Sequence, residues 1–344
     1  MQSLMFDEAR QSAQVVAHML SQDDAQYTAW AQQVASHEPR QILTVARGSS
    51  DHAASYLAYL LTMLTGHVVA SLPLSHVSLN HAALQVQHTL AIALSQSGRS
   101  PDLLATMQSL EAQGATTTAL VNDPASPLAA LAQWSFPLRA GPEKSVAATK
   151  SYIASLAVSA RLAATLHRQR GGGDALLIAL SSLPEVLDLA TRLDWSVALD
   201  IFRPRQCAMV LGRGLGLALA QEAALKLKET ACMQAEAFSG AEVLHGPMAL
   251  IEKGYPLLIF ALPGAALPAQ RQLARDMRQR GATVYLVGAS DVPEADLRLP
   301  EMAHEALAPL VAAQAFYLFA EQLSREKGLN PDLPRHLNKV TLTV

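Results

Sequence analysis

The sequence is poor in cysteine, in aromatic residues and in charge. Of its 344 residues, two are cysteines, 5% are aromatic and 16% are charged. Cys207 and Cys232 cannot by themselves form a disulfide framework or a structural zinc site. Few aromatic residues beside 50% hydrophobic residues argue against a β-sandwich and favour helices packed on sheets.

Two further absences limit the partners and the compartment. The formal net charge is −3, so the chain lacks the basic surface typical of nucleic-acid binding or of anionic membranes. No run approaches 18 uninterrupted apolar residues, and acidic residues stand where a secretory signal has a basic start and an apolar core. We therefore expect a soluble, cytoplasmic protein with no nucleic-acid partner and no membrane partner.

Short apolar runs alternate with longer segments of helical periodicity along most of the chain. This alternation predicts right-handed crossovers and a parallel sheet flanked by helices, an α/β fold. Two helices are expected within residues 4–35, and others over 77–84 and 183–198. The predicted strands cover residues 41–46, 68–70, 89–94, 116–121, 208–211, 257–261 and 283–287.

Two short landmarks repeat at nearly the same offset. Arg47-Gly48 follows the first predicted strand, and Arg213-Gly214 follows a later strand, 213 − 47 = 166 residues on. Gly114-Ala-Thr116 has a counterpart in Gly281-Ala-Thr283, 281 − 114 = 167 residues on. Because the order of predicted elements repeats as well, we expect an internal duplication with Gly171-Gly-Gly173 in the linker between the halves.

The segment Ser95-Gln-Ser-Gly-Arg-Ser100, called the serine loop below, joins a predicted strand to a predicted helix. Ligands of parallel sheets bind beyond the carboxyl ends of the strands, and hydroxyls beside a helix N-terminus favour an anion such as a phosphate monoester. An ordinary helix cap explains the same composition about equally well. The matching loop of the second half, Leu262–Ala265, has no such hydroxyls.

Glu222, Lys226 and Glu229 stand at i, i+4 and i+7, so they share one helix face. In a lysine flanked by two carboxylates, each group shifts the pKa of its neighbours, which suits proton transfer. An ordinary surface helix with i, i+4 salt bridges has the same spacing. The apolar flanks, Leu217–Ala220 and Ala223–Leu225, argue against open surface. We name these three residues the carboxylate–lysine triad.

One histidine and one glycine-rich turn are further candidate sites. His245 lies in the turn Glu242–Pro247, between an acid and a rigid Gly-Pro corner, where a structural role is more common than a catalytic one. The other histidines show no metal-site spacing, so no metal is expected. Gly212-Arg-Gly-Leu-Gly216 lacks the spacing of a dinucleotide loop, so no nucleotide cofactor is expected.

Five separated stretches carry a family resemblance. They are Arg47–Ser50, Ser95–Gly98, Glu143–Lys150, Ala224–Glu229 with Glu242–Ile251, and Pro334–Lys339. Together they resemble the sugar-isomerase (SIS) domain family, and within it the isomerase half of glucosamine-6-phosphate synthase. The resemblance spans residues 40–344 and implies two tandem SIS domains, each a flavodoxin-like three-layer sandwich.

The resemblance also implies how the chain is divided. N-terminal helices are expected over 1–35, a first SIS domain with the phosphate site over 36–170, and a linker with a connecting helix over 171–198. A second SIS domain is expected over 199–330, and a tail that closes the active site over 331–344.

A hexose 6-phosphate, bound without a cofactor, is the implied substrate. The phosphate is expected on the serine loop with help from Ser50, and the sugar against the backbone of Val146 and Ala147. The full expected binding set is Ser49, Ser50, Ser95, Gln96, Ser97, Ser100, Val146, Ala147 and Asn338.

Four side chains are expected, by resemblance, to act in catalysis. Glu229 moves a proton between C1 and C2 of the sugar, and Lys226 supports the open-chain form. Lys339 can meet the ketose carbonyl. His245 opens the sugar ring from a partner subunit, which implies a homodimer with shared active sites.

The chain departs from the synthase pattern in three respects. Arg47 stands where the synthase has cysteine and Ala148 where it has serine, so the edge of the sugar is read differently. About 40 residues precede the first predicted strand, and they include no glutaminase domain with its nucleophilic cysteine. We therefore expect a glutamine-independent glucosamine-6-phosphate deaminase that yields fructose 6-phosphate and ammonia.

Alternative interpretations stay open. They are a phosphosugar aldose–ketose isomerase, a deaminase of another hexosamine or fructosamine 6-phosphate, and a non-catalytic sugar-phosphate sensor. A regulatory sensor would need a helix-turn-helix segment before the first strand, and we expect no such segment there. A sensor could also lose the catalytic side chains, whereas this sequence retains Glu229, Lys226 and His245.

Overall fold

The computed structural model describes residues 2–22 and 25–339. These residues form two compact units, each containing one five-stranded parallel sheet. The first-sheet unit comprises residues 14–22, 25–143, 151–181 and 338–339, and the second-sheet unit comprises residues 2–13, 144–150 and 182–337.

Helices and strands alternate along both halves of the chain. Before the triple glycine the elements are α1 (Leu4–Arg10), α2 (Ser12–Leu20), α3 (Ala25–His37), β1 (Gln41–Val45), α4 (Ser49–Thr65), β2 (Val69–Ser71), α5 (Ser75–Ser78), β3 (Thr89–Ser95), α6 (Pro101–Ala112), β4 (Thr116–Val121), α7 (Pro127–Leu131), β5 (Trp134–Pro137) and α8 (Lys150–Gln169). After it they are α9 (Ala175–Leu180), α10 (Leu183–Ala190), α11 (Ser196–Phe202), β6 (Cys207–Gly212), α12 (Leu215–Ala231), β7 (Gln234–Ser239), β8 (Pro256–Ala261), α13 (Leu267–Gln279), β9 (Thr283–Gly288), β10 (Leu297–Arg298) and α14 (Ala308–Glu326), with 3₁₀ turns at Glu242–His245, Pro247–Leu250 and Glu305–Leu307.

The two sheets have the same strand order. The first runs β2-β1-β3-β4-β5 and the second β10-β9-β8-β6-β7, so both follow the order 2-1-3-4-5 when each half is counted from its own first strand. All pairings are parallel. This is the flavodoxin-like order, and the α/β prediction of two helix-flanked parallel sheets is confirmed.

The backbone repeats the duplication that the landmarks predicted. Gly48 precedes α4 with φ 55° and ψ −135°, and Gly214 precedes α12 with φ 59° and ψ −132°. Gly114 and Gly281 precede β4 and β9 with φ 95° and 90°. Side chains with a Cβ rarely adopt such φ values, so the same glycine-dependent turns recur at the same places in both halves.

The central strands of each sheet are buried along almost their whole length. Every residue of β8 is buried, and so is every residue of β3 except Ser95, as parallel sheets covered on both faces require. Among residues 2–22 and 25–339, Glu305–Glu326 is the one helical stretch long and apolar enough to cross a membrane. Its most apolar window is 89% buried, and its helix α14 packs against α12 within the second-sheet unit.

The N-terminal prediction of two helices was wrong by one, because the chain forms α1, α2 and α3. The additional break is at Gln11, where the Ser12 hydroxyl donates to the carbonyl of Ala9 at 2.7 Å. A serine that bonds back to the preceding turn competes with the helical ladder. The predicted interruption near Ser21 is present.

Two other predicted helices are much shorter than expected. The one over 77–84 reduces to α5, and His81 has a left-handed φ of 48°, which the helix cannot include. The one over 183–198 divides into α10 and α11. The Asp194 carboxylate accepts from the Ser196 amide at 2.9 Å, a contact that starts a new helix.

The strands that the sequence analysis missed are β5, β7 and β10. Strand β5 lies at a sheet edge and ends in Pro137, and prolines are confined to such edges. Strand β7, Gln-Ala-Glu-Ala-Phe-Ser, contains no β-branched residue, and β10 has two residues. Neither gives a recognisable periodicity.

Candidate active site

Helix α12 brings the carboxylate–lysine triad into direct contact. The Lys226 Nζ lies 2.5 Å from Glu229 Oε2 and 3.4 Å from Glu222 Oε1. The side chains of Lys226 and Glu222 are each 1% exposed, whereas that of Glu229 is 19% exposed. The triad is therefore a buried ion-pair network whose solvent-facing end is Glu229, and it is not a surface stripe of salt bridges.

The surroundings of the triad keep its lysine charged. Burial lowers the pKa of Lys226, but the charges of Glu222 and Glu229 outweigh that effect, so the pKa lies above its usual value. The buried Tyr317 of α14 donates its hydroxyl to the same oxygen, Glu222 Oε1, at 3.0 Å. Glu222 is thus held by a cation and a hydroxyl, while Glu229 keeps access to solvent.

The serine loop of the first-sheet unit is a tight turn after β3. The Ser95 Oγ accepts from the Gly98 amide at 2.9 Å. Gly98 has φ 62°, and a Cβ at this position would lie 2.3 Å from the Ser126 Oγ. Only glycine fits this turn.

Helix α6 begins directly after the serine loop. Ser100 occupies the N-cap position, but its side chain forms no capping hydrogen bond within the described chain. Pro101, the first helical residue, has no amide hydrogen to offer. The Ser100 hydroxyl therefore does not cap the helix, which was the alternative explanation for a serine at this position.

The hydroxyls of Ser49 and Ser50 lie at the same edge of the first sheet. They open α4 just after β1, and β1 pairs with β3 in a register that sets Val45 opposite Ala93. In a 2-1-3-4-5 sheet the connections from these two strands diverge, which makes this edge the usual ligand site. The first turn of α4 and the serine loop therefore follow neighbouring strands at the sheet edge where this fold class binds ligands.

Arg47 lies between those two loops and is anchored by Asp102. Its Nε and Nη2 donate to Asp102 Oδ2 at 2.8 and 2.7 Å. The Asp102 side chain is fully buried, while that of Arg47 is 51% exposed. Arg47 thus links the segment that follows β1 to the first turn of α6 and still presents half its side-chain surface to solvent.

The remaining expected site residues occupy several places. In the second-sheet unit Val146 is half-buried, Ala147 is fully buried, and His245 is exposed at the end of the turn Glu242–His245. In the first-sheet unit Asn338 is exposed, and the Lys339 Nζ donates to the buried Glu143 Oε2 at 3.2 Å.

Sequence patterns gave no signal for the anchoring residues. Tyr317 reaches Glu222 across 95 positions, and Asp102 reaches Arg47 across 55. An acid in a first helical turn and a tyrosine in an apolar helix are ordinary features by themselves. Only the packing of distant elements gives them a role.

The sequence pattern of the SIS domain family matches this chain over residues 37–165 and 201–323. The chain belongs to the SIS family. The expected resemblance is confirmed, and the two matched segments contain the two sheets.

Curated relatives of this SIS protein are longer than the chain. Glutamine–fructose-6-phosphate aminotransferase (isomerizing) of Thermococcus kodakarensis is 32% identical over 320 residues, which is 90% of this chain and 53% of the relative. The enzyme of the same name from Halobacterium salinarum is 34% identical over 310 residues, 86% of this chain and 50% of the relative. The chain spans about half the length of the curated relatives it matches.

Two solved structures match nearly the whole SIS chain. A protein from Silicibacter pomeroyi DSS-3, provisionally named a phosphosugar isomerase, is 38% identical with a TM-score of 0.88, over 96% of this chain and 100% of that one. The C-terminal domain of glucosamine-fructose-6-phosphate aminotransferase from Francisella tularensis has a TM-score of 0.88 at 23% identity, over 97% and 98% of the two chains. The second likeness concerns the fold alone.

Proposed function

We propose that the chain is a hexosamine 6-phosphate deaminase, which converts glucosamine 6-phosphate and water into fructose 6-phosphate and ammonia. The observation that carries this proposal is the triad, in which a buried lysine holds a partly exposed carboxylate, Glu229. Such a carboxylate is a positioned proton acceptor of the kind that aldose–ketose chemistry needs. The names of the relatives, which contain fructose 6-phosphate and phosphosugar, support this substrate class.

The serine loop is the proposed phosphate site. The hydroxyls of Ser95, Ser97 and Ser100, with the Gln96 amide, lie before the N-terminus of the 12-residue helix α6. Exposed helical N–H groups and the helix dipole favour a bound anion. The Ser100 hydroxyl is not engaged in capping, which supports its use by a ligand.

The proposed chemistry follows from Glu229. After the sugar ring opens, Glu229 takes the proton from C2 of the aldehyde, and the electron pair passes through C1 to O1. The proton then returns at C1 while the nitrogen lone pair forms a double bond to C2, and O1 takes up the proton that the nitrogen gives up, which leaves a hydroxyl at C1 and an imine at C2. Water adds at C2 and ammonia leaves, so one hexosamine phosphate and one water yield one ketose phosphate and one ammonia. Lys226 supplies positive charge during these steps.

Two assigned roles depend on groups outside the triad. Ring opening is assigned to His245 of the partner subunit in a homodimer with shared active sites, and the exposure of this histidine supports the assignment. Lys339 is assigned to the ketose carbonyl, with Asn338 beside it on the tail. The contact of the Lys339 Nζ with Glu143 has to open before Lys339 reaches that carbonyl.

A phosphosugar aldose–ketose isomerase is the second candidate, and the name of the 38% identical Silicibacter protein favours it. Both reactions use the same proton transfer between C1 and C2. They differ in the group at C2, because an amino group leaves as ammonia whereas a hydroxyl becomes the ketose carbonyl.

The deciding experiment measures ammonia and ketose phosphate from the purified chain. The substrates are the 6-phosphates of glucosamine, galactosamine, fructosamine and glucose, each with and without glutamine, and unphosphorylated glucosamine is the control. We expect ammonia from a hexosamine 6-phosphate, no effect of glutamine and little turnover of glucosamine. Ketose from glucose 6-phosphate without ammonia from any amino sugar supports the isomerase instead. Binding without turnover supports a sensor.

A further inference from the structure

A buried carboxylate of the N-terminal helix holds the backbone of the segment that contains Val146 and Ala147. Glu8 of α1 is 6% exposed. Its Oε1 accepts from the Lys144 amide at 2.5 Å, and its Oε2 accepts from the Ser145 amide at 3.1 Å. One carboxylate therefore bridges two consecutive backbone amides that are distant from it in sequence.

Helix α1 is itself fixed within the second-sheet unit. The Asp332 carboxylate accepts from the amides of Leu4 and Met5, both at 2.8 Å. The Ser3 hydroxyl donates to the buried Glu321 of α14 at 2.6 Å. Glu8 is therefore presented from a helix whose N-terminus is anchored to the core, so its contacts hold residues 144 and 145 to a rigid element.

The held segment has no regular structure of its own. Residues 144–149 form neither helix nor strand. The Val146 amide donates to the Asp332 carbonyl at 3.4 Å, and Lys150, where α8 begins, donates to Gln11 Oε1 at 2.8 Å. Discrete contacts therefore hold the segment in place, and the paired bonds that the Glu8 carboxylate accepts are charge-assisted, which makes them a strong kind of hydrogen bond.

We infer that Glu8 is a positioning residue that sets the backbone of residues 144–147 for contact with the sugar. The inference rests on the proposed function, in which Val146 and Ala147 contact the sugar. Glutamine at this position keeps one acceptor oxygen and sets an NH2 donor against the other amide, so at least one of the two bonds is lost, and an unmade bond to a buried group is costly. The segment then samples other conformations, and sugar binding falls by the fraction of molecules that are misplaced.

The experiment compares Glu8→Gln with a matched control, Asp7→Asn. Asp7 is the adjacent acid on the same helix and is exposed. We expect amide hydrogen exchange at residues 144–147 to rise about tenfold or more in Glu8→Gln and to stay unchanged in the control. The KM for the hexosamine phosphate should rise about tenfold with a smaller change in kcat. Inhibition by inorganic phosphate, which reports on the serine loop, should stay unchanged.

Three results overturn the inference. They are an exchange rate in Glu8→Gln equal to that of the control, faster exchange spread over α12 and α14, and equal changes in sugar KM and phosphate inhibition. If Glu8→Gln does not fold, Glu8→Asp keeps the charge with a shorter reach and should move the same measurements in the same direction. The exchange readout needs no turnover, so a wild-type chain that releases no ammonia counts against the proposed function and leaves the role of Glu8 testable.

Discussion

The two carboxylates of the triad have different surroundings at the level of single atoms. The Glu222 side chain is 1% exposed, and its Oε1 contacts both Lys226 and the Tyr317 hydroxyl, whereas Glu229 is 19% exposed. A buried carboxylate with these contacts cannot approach a substrate carbon without breaking them. We therefore assign charge balance to Glu222 and proton transfer to Glu229.

Replacing Glu229 by glutamine should abolish proton transfer while leaving the fold intact. Glutamine keeps the size of the side chain but cannot accept the C2 proton, and removal of a positioned base costs about 10²–10⁴-fold in rate. Turnover and solvent deuterium exchange at the transferred proton should fall together. Lys228→Gln, on the exposed side of the same helix, is the control. Exchange retained in Glu229→Gln would reassign the base to Glu222.

Replacing Lys226 by methionine should destabilise the chain by about 3–5 kcal/mol at pH 8, because it leaves a buried carboxylate without its counter-ion. The raised pKa of Lys226 means that the stability from its charge is fully present below about pH 10.4 and is lost only as pH rises through the folded-state value. The loss of stability that urea unfolding measures should shrink as the pH falls toward about 5, because a carboxylate without its counter-ion takes up a proton there. A loss below about 1 kcal/mol at pH 8 contradicts the network.

At the level of elements, the serine loop and α6 form the part of the proposed site that can be tested alone. Ser97→Ala should raise KM for the phosphosugar with little change in kcat, since one hydrogen bond to a phosphate contributes about 1–3 kcal/mol. Ser109→Ala, in the last turns of the same helix, is the control. The measurement is steady-state kinetics with competition by inorganic phosphate. Equal inhibition of wild type and Ser97→Ala by phosphate argues against the loop as the anion site.

Sequence reasoning succeeded for elements whose pattern is local. The buried strands such as β3 and β8 are continuous apolar runs, and Gly48 and Gly214 mark the two turns that start the long helices. It failed where the local signal is weak. The edge strand β7 contains no β-branched residue, and the helix break near Asp194 depends on one side-chain contact to the Ser196 amide inside an apolar, helix-like stretch.

The candidate site shows the same division. The i, i+4, i+7 spacing was enough to predict that the triad shares one helix face, and the apolar flanks were enough to predict its burial. The contacts of Glu8, Asp102 and Tyr317 join residues that are 55 to 137 positions apart. No local pattern encodes such pairs, because they depend on how finished elements pack.

For the whole molecule, the proposed homodimer predicts complementation between inactive variants. His245→Ala and Glu229→Gln should each be nearly inactive alone. If each site uses Glu229 of one chain and His245 of the partner subunit, a mixed dimer has one site with both groups and one with neither. Random exchange of equal amounts should therefore restore about one quarter of wild-type activity. Sedimentation establishes the dimer, and absence of recovery after demonstrated subunit exchange would place His245 within its own chain or outside catalysis.

The anchoring of α1 also constrains how the chain is made. The Ser3 hydroxyl meets Glu321 across 318 positions, and ribosomes add about 5–20 residues each second. The residues of α1 are therefore synthesised roughly 16–64 s before their partner in α14, and the apolar face of α1, with Met5 and Ala9 fully buried in the finished fold, lacks that partner for this time. Translation speed and chaperone supply should accordingly affect the yield of this protein more than that of a chain whose first helix packs against its nearest neighbours.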